Sequence, residues 1–115
     1  MDCLFCKILA GEVPSTKIYE DDLMYVFPDI APIAPVHYLM IPKVHISGVS
    51  DLTEENAAVV AHIFTVAAKI AKEAGLEQGY RIVTNNGEDA GQTVHHLHFH
   101  LLGGKQLGWD PNRGN

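Results

Sequence analysis

Thr93-Val94-His95-His96-Leu97-His98-Phe99-His100-Leu101-Leu102 is the stretch on which the fold turns. As one extended strand it alternates, with His96, His98 and His100 on one face and Leu97, Phe99 and Leu101 on the other. Residues two apart on a strand lie about 6.6–6.8 Å from each other, so the three imidazoles project together while the apolar side points into a core. His95 falls on the opposite face and is set apart from the three. Packing or solubility explains such a row poorly, because threonine or lysine would serve a solvated face equally well; the plain alternative is a hydrogen-bonded structural row. Imidazoles add reactivity near neutral pH, as base, donor, nucleophile or metal ligand. A neutral ring nitrogen can attack phosphorus while protonated neighbours stabilise phosphate oxygens.

Upstream, Asn85 to Gln92 is a polar loop containing glycine, and Tyr80 to Thr84 reads as a strand. Further back, Asp51 or Thr53 can cap a long helix with Glu54 and Glu55 in its first turn. Val60, Ile63, Phe64, Ala67, Ile70, Ala71 and Ala74 recur at helical spacing until Gly75 ends it. Val59 and Val66 lie off that stripe and suggest a second buried face, which a partner subunit could cover. Val36 to Ile41 alternates and stops at Pro42, placing His37 on one face with Leu39 and Ile41. The three prolines in Pro28 to Pro35 exclude a helix or central strand there. Lys17–Glu20 and Leu23–Phe27 form two strands around Asp21-Asp22, and Cys3–Ala10 forms a short helix stopped by Gly11. The sum is an α+β domain: a five-stranded antiparallel sheet with one long and one short helix.

At 115 residues the chain is one domain, spanning 1–115. With 47% hydrophobic and 19% charged residues it has the composition of a soluble protein, and no apolar run approaches the roughly 20 residues of a membrane span. Asp2 stands where a secretory signal carries bases, so a cytoplasmic location is expected. Net charge is −6 and the eight Lys and Arg residues are scattered, which leaves little for a nucleic-acid groove and favours a small ligand. In a reducing compartment Cys3 and Cys6, two residues apart, suit a metal site or a redox pair better than a structural disulfide.

The segment His96-Leu97-His98-Phe99-His100-Leu101-Leu102 matches the His-φ-His-φ-His-φ-φ signature of the histidine triad (HIT) family, φ being apolar. Gly91-Gln92-Thr93-Val94, Gly103-Gly104 and Pro35 to Ser47 also resemble that family, and the ending with Trp109 looks like its Hint branch. The resemblance implies a HIT-like fold and a hydrolase or transferase of purine nucleoside phosphoramidates or related nucleotides. It assigns the nucleophile to His98, a phosphate donor to His100 and proton movement to His37. Phe5, Ile8 and Phe27 match positions sandwiching the base, and Asp29 and Ile30 positions on the ribose hydroxyls. Asn85, Gly91, Gln92, Thr93 and Val94 match positions around the phosphate, with Thr93 also on the leaving-group side. Taken singly, Phe5, Ile8 and Phe27 are more often core residues.

Some bacterial proteins of the family hold a structural zinc, and Cys3, Cys6, His45 and His96 fit their pattern. Such a closed set leaves no open position for catalysis, and it would turn His96 from a proton relay into a group orienting the nucleophile. No cofactor is then expected in the reaction itself. Two other functions stand beside the nucleotidyl enzyme: a metallohydrolase with the triad as ligands, opposed by the lack of an acid on the strand, and a non-catalytic nucleotide-binding module. The helix faces and the Trp109 tail suggest a homodimer whose tail approaches the partner's site. His62 and His95 receive no chemical role.

Overall fold

The computed structural model describes residues 3–109. Five strands form one antiparallel sheet: β1 (Tyr19–Glu20), β2 (Met24–Pro28), β3 (Val36–Pro42), β4 (Tyr80–Val83) and β5 (Phe99–Gly103). Their order is β1-β2-β3-β5-β4, so β5 lies between β3 and β4. Two α-helices, α1 (Leu4–Leu9) and α2 (Ala58–Glu73), complete the α+β fold.

The sheet is covered on both sides, which is why Met24-Tyr25-Val26-Phe27 is apolar throughout and buried at every position. Met24, Val26, Met40, Leu97, Phe99 and Leu101 pack with Val59, Ile63, Val66, Ala67 and Ile70 of α2. Tyr25, Phe27, Leu39 and Ile41 take the other face, with Cys3 and Phe5. Pairing of His37 with Leu102 and of Leu39 with His100 carries His37 and His100 to that second side.

Three expectations change. The last strand begins at Phe99, not Thr93, and residues 94–96 bend. The β3–β5 ladder ends at Met40 opposite Phe99; two residues on stands Pro42, which has no N–H to donate. Side chains take over the pairing there: Thr84 Oγ1 donates to the His98 carbonyl at 2.7 Å and the His98 ring to the His96 carbonyl at 2.7 Å. The long helix begins at Ala58 rather than near Thr53. Thr53 N–H donates to Asn56 Oδ1 at 2.7 Å and Asn56 N–H to Thr53 Oγ1 at 3.3 Å, holding a separate turn ahead of it.

The buried stripe of α2 is also rotated. Val59 and Val66 lie in the protein's own core, while Phe64 is 46% exposed and meets Phe99 edge-on. Val59 and Val66 therefore do not form a second face for a partner. His62 ties α2 to the β1–β2 turn, its Nε2 2.6 Å from Asp21 Oδ2, which also accepts from Tyr19 Oη at 2.7 Å. Burial alone would raise the Asp21 pKa, but hydrogen bonds from His62, Leu23 N–H, Tyr19 and Met24 N–H outweigh it and hold the carboxyl far below its ordinary range. No helix is long and apolar enough to cross a membrane among the described residues.

Candidate active site and metal cluster

His98 leaves the bend just before β5 and is buried at 7% exposure. A carbonyl can only accept, so Nδ1 is the protonated nitrogen in the His98–His96 contact. Nε2 of the neutral ring keeps the lone pair. Burial pulls the His98 pKa down, against the opposing pull of the His96 carbonyl and Asp29, so the ring is neutral near pH 7.

His100 and His37 are joined across β5 and β3, Nδ1 to Nε2, at 2.9 Å. Ile33 N–H donates to His37 Nδ1 at 3.1 Å, which makes His37 Nε2 the protonated nitrogen and His100 Nδ1 the acceptor. His100 Nε2 therefore retains a hydrogen to donate. Burial, then the neighbouring His98 and His37, lowers the His100 pKa to about 4. Burial lowers that of His37 too, with Asp29 opposing, its Oδ2 3.4 Å from Nε2.

The acid missing from the strand thus arrives from the β2–β3 loop, and Asp29, His37 and His100 come close enough to share an ion. The Ile33 bond argues against one. A metal on His37 Nε2 would force the proton onto Nδ1, against the Ile33 N–H that now donates to it. The arrangement is a hydrogen-bonded relay.

Two cavities meet at these rings. One, of about 800 Å³, is lined by Phe5, Ile8, Phe27, Asp29, Ile30, Thr93, Val94, His98 and His100, with Leu4, Pro28, Leu39 and residues 13–16 completing the wall. The other, of about 350 Å³, is lined by Ile33, His37, Asn85, Ala90, Gly91 and Leu102, and shares Thr93, His98 and His100 with the first. No lysine or arginine lines either cavity among the described residues. An anion there would be held by imidazoles, hydroxyls, the Asn85 amide and backbone. Phe5 meets the His98 ring edge-on, with centroids 5.1 Å apart.

Gln92 lines neither cavity. Its buried amide accepts from Gly87 N–H at 2.8 Å and donates to the carbonyls of Ser47 at 2.8 Å and Val94 at 3.1 Å. It braces the loop that Gly91 and Thr93 present to the cavities. Sequence reading missed Leu4, Pro28, Ile33, Leu39, Ala90, Leu102 and residues 13–16 as lining. They are ordinary apolar or loop residues, and only the tertiary fold marks them.

His96 turns away from the cavities and is fully buried. Its Nε2 donates to the Pro42 carbonyl at 2.9 Å, leaving the Nδ1 lone pair directed at a cluster of donors. Nδ1 lies 3.3 Å from Cys3 Sγ, 3.7 Å from Cys6 Sγ and 3.2 Å from His45 Nδ1; Cys6 Sγ is 3.3 Å from His45 Nδ1. Tetrahedral zinc, with bonds of about 2.3 Å to sulfur and 2.0–2.1 Å to nitrogen, sets ligand–ligand edges of roughly 3.3–3.8 Å. The four groups match that size, and the tautomer of His96 is the one a ligand needs. Burial, then Cys3, pushes the Cys6 thiol up, a cost that a bound cation would offset. His95 is exposed and joins neither group.

Comparison with known proteins places the chain by family and fold. Residues 10–107 match the HIT domain model. The HIT family hydrolase of Clostridium thermocellum is 51% identical, with a TM-score of 0.90 over 93% of this chain and 94% of that one. The HIT family hydrolase of Legionella pneumophila is 46% identical, with a TM-score of 0.93 over 96% and 100%. A curated relative from Zea mays, 44% identical over 94% of this chain and 86% of its own, is named 14 kDa zinc-binding protein. By sequence and by fold together, the chain belongs to the HIT family, with the α+β architecture that its relatives share.

Proposed function

We propose that the protein hydrolyses purine nucleoside phosphoramidates through a covalent nucleotidyl-His98 intermediate, as in the Hint branch. The observation carrying this is the tautomer of His98: Nδ1–H is spent on the His96 carbonyl, and the ring lines both cavities. His98 Nε2 attacks the α-phosphorus, the bond to the leaving amine breaks, and its electron pair leaves with the amine nitrogen, which takes up a proton. Water then attacks phosphorus and frees His98, so two displacements replace one. His100 donates Nε2–H to a phosphate oxygen, and the His37–His100 pair moves the proton.

The larger cavity takes the nucleoside, its base against Phe5, Ile8 and Phe27 and its ribose near Asp29 and Ile30. The smaller takes the leaving group, with Asn85, Gly91, Thr93 and Val94 around the phosphate. Zinc held by Cys3, Cys6, His45 and His96 would supply a rigid cross-link between the N-terminus and the bend before β5. A pair of thiols beside two imidazoles suits a reducing cytoplasm.

A homodimer belongs to the same reading, supported by exposed Phe64 and Tyr80 and the unpaired edge of β4. Sedimentation at micromolar concentration should give a dimer; a monomer would remove this part. The decisive experiment is intact-mass analysis of single turnovers quenched with a slow adenosine phosphoramidate. The chain should gain one nucleoside monophosphate, and His98→Asn should gain none. Binding without adduct or product would leave only a nucleotide-binding module.

A further inference from the structure

The helix α1 serves two sites at once. Cys3, which caps it, and Cys6, in its first turn, face His45 and His96, while Leu4, Phe5 and Ile8 of the same six-residue helix wall the larger cavity. Each backbone hydrogen bond described for residues 3 to 13 closes within that segment: Lys7 to Cys3, Ala10 to Cys6, Gly11 to Ile8, and Glu12 and Val13 to Lys7. Side chains hold the helix to the sheet, by the packing of Phe5 against Phe27 and by the contacts of the two thiols with the imidazoles.

We propose that Cys3 and Cys6 form a redox latch on the nucleotide cavity, in which a hydroperoxide converts the metal-binding thiol pair into an intramolecular disulfide and undocks α1. This rests on the metal and nucleotide readings above. The sulfurs lie within 4.8 Å of each other and of both histidine nitrogens, so the pair can close with local movement alone. One thiolate attacks the peroxide oxygen, forming a sulfenic acid as the O–O bond breaks; the second displaces hydroxide from it and closes the S–S bond. The two sulfurs lose two electrons in all and the peroxide gains them, leaving water once protons are taken up. A disulfide offers no thiolate to a cation, so the metal leaves with its bonds to His45 and His96.

The consequence reaches the cavity by two routes. Phe5 lies between Cys3 and Cys6 in sequence and touches Phe27 and the His98 ring, with centroids 5.6 and 5.1 Å away. Closing a bond across the turn that carries Phe5 shifts that wall. His96 meanwhile loses its anchor on Nδ1, and its carbonyl is the group holding the nucleophile's tautomer.

The test uses the full chain, reduced and zinc-loaded, treated with hydrogen peroxide at a few equivalents. Intact mass should fall by about 2 Da with no oxygen added, as expected for disulfide closure, and one zinc per chain should be released to a chromogenic chelator. Affinity for AMP by calorimetry should weaken at least about tenfold and return after dithiothreitol and zinc. Cys6→Ser cannot close the bond, and its AMP affinity, whatever its starting value, should not respond to peroxide. Disulfide formation with unchanged AMP affinity would overturn the latch, as would sulfur oxygenation or intermolecular cross-linking in its place. A reduced, zinc-loaded protein that fails to bind AMP would instead overturn the nucleotide reading of the cavity.

Discussion

A single backbone carbonyl, that of His96, decides which nitrogen of His98 keeps its lone pair. The same logic runs through the other rings: Pro42 O leaves the His96 Nδ1 lone pair facing the thiols, and Ile33 N–H fixes His37 as a Nε2 donor. Removing the His98 ring should therefore abolish turnover, with His98→Asn falling by at least about a thousandfold in kcat; residual activity near wild type would point to another nucleophile. His100 carries a pH prediction. Its ring is ordinarily half-protonated at 6.5 and in the fold only at about 4, so the unfolded chain takes up the proton first. The penalty on folding is absent above 6.5, grows as pH falls and is complete below 4. His100→Asn has no such ring, and its melting temperature should fall less between pH 6.5 and 4 than that of the wild type. Parallel slopes in the two proteins would discount the burial of a neutral His100. The residue types at the site were legible because imidazoles are scarce and their spacing is specific. The division of labour between His96 and its neighbours was legible only through the resemblance and the paired cysteines. The inward turn of Gln92 had no sequence signal, since an amide braces a loop or binds a ligand with equal ease.

At the scale of elements, alternation marked β3 and β5, strand-forming composition marked β1 and β2, and helical spacing found both helices. Boundaries failed where side chains replace backbone partners, at residues 93–98 and 53–57. The face of α2 was misjudged because apolar residues run round much of its surface, so periodicity leaves its rotation open by about one position. What fixes it is the sheet. Where α2 ends, Gly103 at the close of β5 lies against Leu76, and a Cβ added there would meet Leu76 Cδ1 at 2.7 Å and Cδ2 at 2.9 Å. Gly103→Ala should cost about 1–3 kcal/mol through overpacking, read as a lower denaturant midpoint with an unchanged slope. An unaltered midpoint would mean that Leu76 moves aside freely.

For the whole molecule, the sheet separates two kinds of interior. Its α2 side is a conventional apolar core, while the other side holds the cavities, the relay and the Cys/His cluster. Metal bound to that cluster should contribute to the second side alone. Protein purified under reducing conditions should carry one zinc per chain. His45→Ala, which removes a half-buried ligand and leaves the α2 core intact, should lose the metal and melt at a lower temperature while keeping its far-ultraviolet circular dichroism. Equal zinc content in both proteins would exclude His45 as a ligand. The expectation of a tail approaching a partner's site rests on residues 109–115, of which Asp110 to Asn115 lie outside the described residues; Trp109 is exposed.

The position of β5 between β3 and β4 has a consequence for biosynthesis. Ribosomes deliver this strand after the other four, so a nascent chain carries β4 with no neighbour to pair with and β3 with one bare flank until residues 99–103 emerge. One member of the triad, His100, arrives on that final insertion, directly behind His96 and His98. From the completion of β4 until then, both strands that will flank β5 offer unpaired backbone to other nascent chains.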